Sequence, residues 1–205
     1  MSMAIHLRSP LAPWAEVVPG VAPVAVEALL ALPDDGYVYE VVDGVLVRMA
    51  GSGDEATTIA HYLGVALTNF VRPRRLGIVT GADGVYKFPH AETGLLPDIG
   101  FYVAEKRAFI VDRSKPIPFA PDLAVEVASP SQDADDMAAK ARAYLHGGVC
   151  LVWVLWPQAQ HADIWRPATL DRPTATLNVG DALDGEDVIP GFTYPVADVF
   201  ADPLT

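Results

Sequence analysis

The chain has 205 residues, 51% of them hydrophobic, and its formal net charge is −12 because 26 acids face 14 bases. This length and apolar content suit a single domain with a sizeable buried core. The one cysteine, Cys150, excludes an internal disulfide, and no apolar stretch reaches the roughly 18 residues that a membrane-spanning helix needs. We therefore expect a reduced, cytoplasmic protein that does not enter a membrane.

The acidic charge balance restricts the classes of partner. Proteins that bind nucleic acid usually carry basic patches, because neutralising phosphates supplies most of the sequence-independent affinity. The densest basic cluster in this chain is the Arg-Pro-Arg-Arg run at 72–75. The net charge therefore counts against nucleic-acid binding except through a local basic surface.

The elements follow from periodicity and turn residues, beginning with a loose Pro-rich arm over 1–20 and a single domain over 21–205. A short helix over 23–32 precedes two strands over 37–42 and 45–49, which Asp43-Gly44 joins as a hairpin. Apolar residues spaced by three and four predict an amphipathic helix over 54–71. The later predictions are strands over 76–86, 95–103 and 123–128, a helix over 133–146, and an antiparallel pair over 149–155 and 163–166. With edge strands in the tail, this order favours an α/β sandwich around a mixed sheet.

Two acids stand out because each lies within or beside an apolar run that reads as a buried strand. Asp98 follows Pro97 and precedes Ile-Gly-Phe-Tyr-Val, and Glu126 has Val on both sides. A carboxylate in such a place is costly unless a metal, a cation or hydrogen bonds compensate it. Because neighbouring strands lie about 4.8 Å apart, the two acids can share one divalent cation if they stand at the same height.

Lys140 is the third candidate, on the helix after the Glu126 strand. It shares a helical stripe with Met137, Ala141 and Tyr144, so its side chain is expected to point towards the core. Each residue also has a plain explanation. Asp98 could be a turn residue after proline, and Glu126 could form a structural ion pair with an arginine. Lys140 could form a surface ion pair with Asp136, four residues before it.

Four motifs stand out between about residues 21 and 167: Tyr-Glu-Val-Val-Asp-Gly at 39–44, Pro97-Asp98, the strand ending Glu-Val-Ala-Ser-Pro-Ser at 126–131, and Lys140-x-x-x-Tyr144 before Gly148 and Trp153. Together they resemble the Uma2 family, also called DUF820, whose members belong to the PD-(D/E)XK restriction-endonuclease-like superfamily. It implies a restriction-endonuclease-like α/β core, a mixed β-sheet flanked by helices, with an N-terminal hairpin.

The resemblance also implies roles for individual residues. Asp98 and Glu126 become metal-binding acids for Mg²⁺ (or Mn²⁺), and Lys140 becomes the catalytic lysine. The superfamily's usual lysine position, two residues after the acid, is Ala128 here, so the lysine is implied to come from the following helix. Ala128 itself could contribute its backbone carbonyl as a further ligand of the metal. Glu40 and His61 match an acidic and a histidine position of the family and are supporting candidates.

Three hypotheses about function follow from these residues. The first is metal-assisted hydrolysis of DNA phosphodiester bonds by an endonuclease. The second is an inactive nuclease-like module for binding or assembly, forming a homodimer through the region of Trp153 and Trp156 or through the arm. The third treats the two acids as a glycosidase pair, which Lys140 and the missing aromatic sugar cleft disfavour.

Overall fold

The computed structural model describes residues 12–20, 23–89, 91–202 and 204. The strands are β1 (Glu16–Val17), β2 (Tyr37–Val42), β3 (Val45–Ala50), β4 (Gly77–Gly81), β5 (Tyr86–Lys87), β6 (Gly94–Leu95), β7 (Ile99–Val103), β8 (Leu123–Val127), β9 (Leu151–Trp156), β10 (His161–Trp165), β11 (Ala175–Leu177), β12 (Ala182–Asp184) and β13 (Thr193–Pro195). The helices are α1 (Asp54–Arg74), α2 (Ala134–His146), α3 (Val196–Val199) and two 3₁₀ turns, Val26–Ala31 and Ala104–Phe109.

The main sheet has six strands in the order β11-β10-β9-β8-β7-β4. Its pairs are antiparallel except β8 with β9, which are parallel and are connected by α2. A second sheet has the order β1-β3-β2-β6-β5, and β12 pairs with β13. The predicted mixed sheet with flanking helices is therefore confirmed, and the hairpin belongs to the second sheet.

Strand β8 divides the core into two layers. Leu123, Val125 and Val127 pack in the apolar cluster that contains α1, whereas Ala124 packs in the cluster that contains α2. Successive side chains of a strand point to opposite faces. Glu126 therefore shares the α2 face with Ala124, and this alternation aims its carboxylate at the helix that follows it in sequence.

Local residue choices account for the hairpin and for the helix after β8. Asp43 and Gly44 have φ values of 49° and 77°, which the two-residue turn of a tight hairpin requires. Asp133 begins α2, because its side chain accepts a hydrogen bond from the Asp136 N–H.

The structure corrects several predictions of the elements. The arm is not loose in its described part, since Trp14 is buried and Glu16–Val17 pairs with β3, while residues 1–11 lie outside the described residues. The strands predicted over 76–86 and 95–103 are each interrupted, the second around Pro97, which cannot donate to a ladder. Cys150 is exposed and precedes β9 rather than lying within a buried strand.

Two further observations bear on interfaces. Trp153 is fully buried, and its ring stacks at 6.2 Å from that of Phe192, so it is not available as a dimer surface. Among the described residues, no helix has the length and apolar character needed to cross a membrane.

Candidate active site

Asp98, directly before β7, lies opposite Glu126 of the neighbouring strand β8. The β7–β8 register pairs Ile99 with Val125, so one further step along both strands sets Asp98 opposite Glu126. Directly opposed residues have Cβ atoms about 5 Å apart on the same face. Asp98 Oδ2 accepts a hydrogen bond of 2.8 Å from the Val127 N–H, which fixes the Asp98 carboxylate against β8.

Helix α2 brings a lysine and a tyrosine to Glu126. Lys140 Nζ donates to Glu126 Oε2 at 3.0 Å, and Tyr144 OH donates to Glu126 Oε1 at 2.5 Å. The spacing of four residues places both side chains on one face of the helix. The plain reading of Lys140 as a surface partner of Asp136 is wrong, because Lys140 is only 3% exposed and pairs with Glu126 instead.

Glu40 completes the group from the second sheet. Its side chain is fully buried, and its Oε1 lies 3.4 Å from Lys140 Nζ. The same oxygen accepts a hydrogen bond from the Leu96 N–H at 3.0 Å, while Oε2 accepts one from Trp14 Nε1 at 3.0 Å. The structure therefore gathers three carboxylates, those of Glu40, Asp98 and Glu126, around one ammonium.

The pKa values of Asp98, Glu126 and Lys140 are all raised, the two acids by burial and the lysine by the acids around it. Burial raises the pKa of Asp98, against the opposing effects of Lys140 and the Val127 hydrogen bond. Burial also raises the pKa of Glu126, because Lys140 offsets the loss of hydration only in part. Burial acts to lower the pKa of Lys140, but Glu126, Glu40 and Asp98 outweigh it and raise that pKa, so the ammonium stays charged.

The group opens onto a cleft of about 1230 Å³. Asp98, Glu126 and Lys140 line this cleft, whereas Glu40 lies behind them. Acids outnumber cations among the described residues that line the cleft. The acids are Glu16, Asp83, Asp98, Glu126 and Asp136, and the cations are Arg48 and Lys140. A polyanion entering the cleft therefore meets net negative charge unless a further cation is present.

The two supporting candidates other than Glu40 are placed differently. His61 is exposed on α1, lines the same cleft and contacts the Tyr62 ring at 5.5 Å. Helix α1 packs on the face of the sheet opposite to α2. Ala128 is buried directly after β8, and its N–H donates to the Leu155 carbonyl. Its carbonyl as a metal ligand stays a prediction.

The donors present suit a hard divalent cation with few protein ligands. Mg²⁺ is usually held by one or two carboxylates together with water and phosphate oxygens, and Asp98 with Glu126 provide two. No cluster of three or more His, Cys, Asp or Glu side chains suited to a metal is found among the described residues. Both oxygens of Glu126 accept hydrogen bonds, one from Lys140 and one from Tyr144.

Sequence reasoning missed two members of the site. Trp14 lies in the segment that was predicted to be loose, and a tryptophan in a Pro-rich stretch gave no periodic signal. Tyr144 was visible as part of the Lys140-x-x-x-Tyr144 motif, and its position one turn after Lys140 was the signal for a shared partner.

Comparisons with known proteins agree with this architecture. A family model described as "Uma2: Putative restriction endonuclease" matches residues 26–197. A crystal structure described as a putative nuclease belonging to DUF820, from Anabaena variabilis ATCC 29413, is similar with a TM-score of 0.70 and 18% sequence identity, over 87% of this chain and 98% of that chain. No curated protein matches the chain. At this identity the solved structure supports the fold, and the family model covers most of the chain. The chain therefore belongs to the Uma2 family.

Proposed function

We propose that the protein is a divalent-metal-dependent endonuclease that hydrolyses phosphodiester bonds of DNA. The observation that carries the proposal is the placement of Asp98 opposite Glu126 at the cleft, with the Lys140 ammonium 3.0 Å from Glu126. Family membership supports the reaction class. Two facing acids beside a buried cation are a costly arrangement that a purely structural role does not need.

Each residue has a defined task in this proposal. Asp98 and Glu126 would hold Mg²⁺ or Mn²⁺, which when bound supplies Lewis acidity and lowers the pKa of water. Lys140 stabilises negative charge that develops on the phosphate in the transition state. Tyr144 orients Glu126 through its hydrogen bond, and burial raises the pKa of Tyr144 well above its ordinary value, so it stays a donor.

The cleft offers a track for a phosphate backbone along α1. His61, Val65 and Thr68 are exposed, follow one stripe of the helix and line the cleft. Arg72 continues this stripe one turn beyond Thr68, at the start of the basic cluster. A DNA strand lying along α1 would thus reach the only dense basic run of the sequence, which is a local basic surface in a chain whose net charge is −12.

The decisive test is cleavage of a supercoiled plasmid. We expect the wild-type protein to convert it to nicked and linear forms with Mg²⁺ or Mn²⁺ and to leave it intact with EDTA. Asp98→Ala and Lys140→Ala variants should be inactive. A folded wild-type protein that cleaves neither duplex DNA, single-stranded DNA nor RNA in the presence of Mn²⁺ would contradict the proposal.

Metal affinity is expected to fall as the pH is lowered from 8 to 6. The raised pKa values of Asp98 and Glu126 mean that these carboxyls take up protons at a higher pH than solvated acids do, and a metal must displace those protons. Calorimetric titration with Mn²⁺ in two buffers of different ionisation enthalpy measures the protons released. A constant affinity with no proton release over this range would contradict Glu126 as a ligand with a pKa of about 8.

A second candidate function is an inactive binding or assembly module, and two observations favour it. The net charge of −12 opposes DNA binding, and Lys140 already neutralises Glu126. A homodimer would then form through surfaces other than Trp153, which lies in the core. Metal titration separates the two functions, because an inactive module whose acids serve only Lys140 binds no Mn²⁺.

A further inference from the structure

Glu40 is the one acid of the group that is withdrawn from the cleft. Its carboxylate is fully buried, and two neutral donors, Trp14 Nε1 and the Leu96 N–H, hold its two oxygens. Those hydrogen bonds fix the position of the carboxylate without neutralising its charge. The cation nearest to it is Lys140, at 3.4 Å.

Lys140 lies between two acids of different exposure to the cleft. Its Nζ is 3.0 Å from Glu126 Oε2 and 3.4 Å from Glu40 Oε1, and only Glu126 lines the cleft. An ammonium has three donors on a flexible stem, so it can change its principal partner through a small movement of the side chain. The structure therefore contains both a mobile donor, Lys140, and a fixed second acceptor, Glu40, for such a change of partner.

A divalent cation on Asp98 and Glu126 would compete with this ammonium. Both cations would be bound by the Glu126 carboxylate, and two positive charges on one carboxylate repel each other. The lysine cannot move into solvent without leaving Glu40 buried and unpaired, which is unfavourable. Glu40 is the anion that remains for it within the described residues around the site.

We propose that Lys140 is the resident counter-ion of Glu126 and transfers to Glu40 when a divalent cation binds. Glu40 is thus a positioning residue: it retains the lysine beside the acids in the metal-bound protein. The inference rests on the proposed metal site and does not require that DNA be the substrate. It makes the carboxylate of Glu40 necessary for tight metal binding only while Lys140 is present.

A double-mutant cycle on Mn²⁺ affinity tests this dependence. Glu40→Gln should weaken binding about tenfold, because the lysine then stays on Glu126. Lys140→Met should tighten binding, because the competitor is gone. In the Lys140→Met background the Glu40→Gln change should have less than about a threefold effect. Equal losses in both backgrounds would overturn the proposal, since Glu40 would then act through its charge alone.

The controls address folding and charge. In Glu40→Gln the amide NH₂ group would face the Trp14 Nε1–H, and two donors would then oppose each other. The cycle is therefore repeated in a Trp14→Phe background. Thermal unfolding is recorded for every variant. Glu40→Asp keeps the charge and should recover part of the wild-type affinity. Glu55→Gln, an exposed acid at the start of α1, should leave the affinity unchanged.

A measurement on the wild-type protein covers the case in which the variants do not fold. The chain has four lysines, so the ¹³Cε signals of a lysine-labelled sample can be resolved individually. Titration with diamagnetic Mg²⁺ should shift the Lys140 signal and leave those of Lys87, Lys106 and Lys115 in place. Metal binding without a shift of the Lys140 signal would overturn the proposed transfer of Lys140 from Glu126 to Glu40. A Lys140 shift in a protein that does not cleave DNA would overturn only the proposed nuclease function. A protein that binds no metal contradicts both.

Discussion

Replacing Asp98 by asparagine is expected to lower metal-dependent cleavage about 10³-fold, which corresponds to roughly 4 kcal/mol of lost transition-state stabilisation. Asp98 lines the cleft, and among the described residues its carboxylate receives one hydrogen bond, on Oδ2 from Val127, which leaves the other oxygen for a cation. Asparagine keeps the size and an acceptor for Val127 but removes the charge. Single-turnover cleavage and Mn²⁺ titration should show the same loss.

The same variant should unfold no more easily than the wild type at pH 8. The pKa of Asp98 is raised in the folded protein, so above that pKa its charge destabilises the folded state, and a neutral side chain removes this cost. Asp83→Asn is the matched control, because Asp83 is an exposed acid of the same cleft outside the strand pair. Loss of cleavage in both variants would contradict the assignment of Asp98 as a metal ligand. Loss of stability in Asp98→Asn would contradict the expectation that its buried charge destabilises the fold.

Much of the fold could be predicted because its signals are local. The Asp43-Gly44 turn, the three-and-four spacing in α1 and the apolar run of β8 each lie within a few residues of sequence, and the corresponding elements are present. The short strand Glu16–Val17 and the break between Gly81 and Tyr86 depend on pairing with distant segments. No local pattern determines such pairing.

The site shows the same division between local and distant information. Acids in apolar runs drew attention to Asp98 and Glu126, and a helical stripe drew attention to Lys140; the structure brings all three together. Glu40 alternates with apolar residues in a hairpin strand, a pattern equally typical of an outward side chain. Its burial depends on Trp14 and Leu96, which lie 26 and 56 residues away. Sequence alone therefore named the residues but not the ion pair that neutralises Glu126.

Lys140→Met is expected to lower the free energy of unfolding by about 3–5 kcal/mol at pH 8, the usual effect of removing one partner from a buried ion pair. Methionine fills a similar space, so the loss measures mainly the missing ion pair, which leaves Glu40 without its cation and leaves Glu126 either protonated or unpaired. Arg142→Met, two residues along the same helix and only partly buried, should cost less than about 1 kcal/mol. Urea unfolding followed by circular dichroism provides both values.

The pH dependence of this loss identifies its cause. Without Lys140, the pKa of Glu126 in the folded state lies still further above its unfolded value, so the folded protein binds a proton that the unfolded chain releases. Stability of the variant then falls as the pH rises towards that folded pKa. In the wild type the same fall ends near the Glu126 pKa of about 8, so the difference between the two proteins grows as the pH rises above that value. Mn²⁺ at about 100 times its Kd should restore roughly 2.7 kcal/mol to the variant by binding the folded state alone. A loss that is independent of pH and unaffected by Mn²⁺ would assign it to packing, and the electrostatic role of Lys140 beside Glu126 would have to be abandoned.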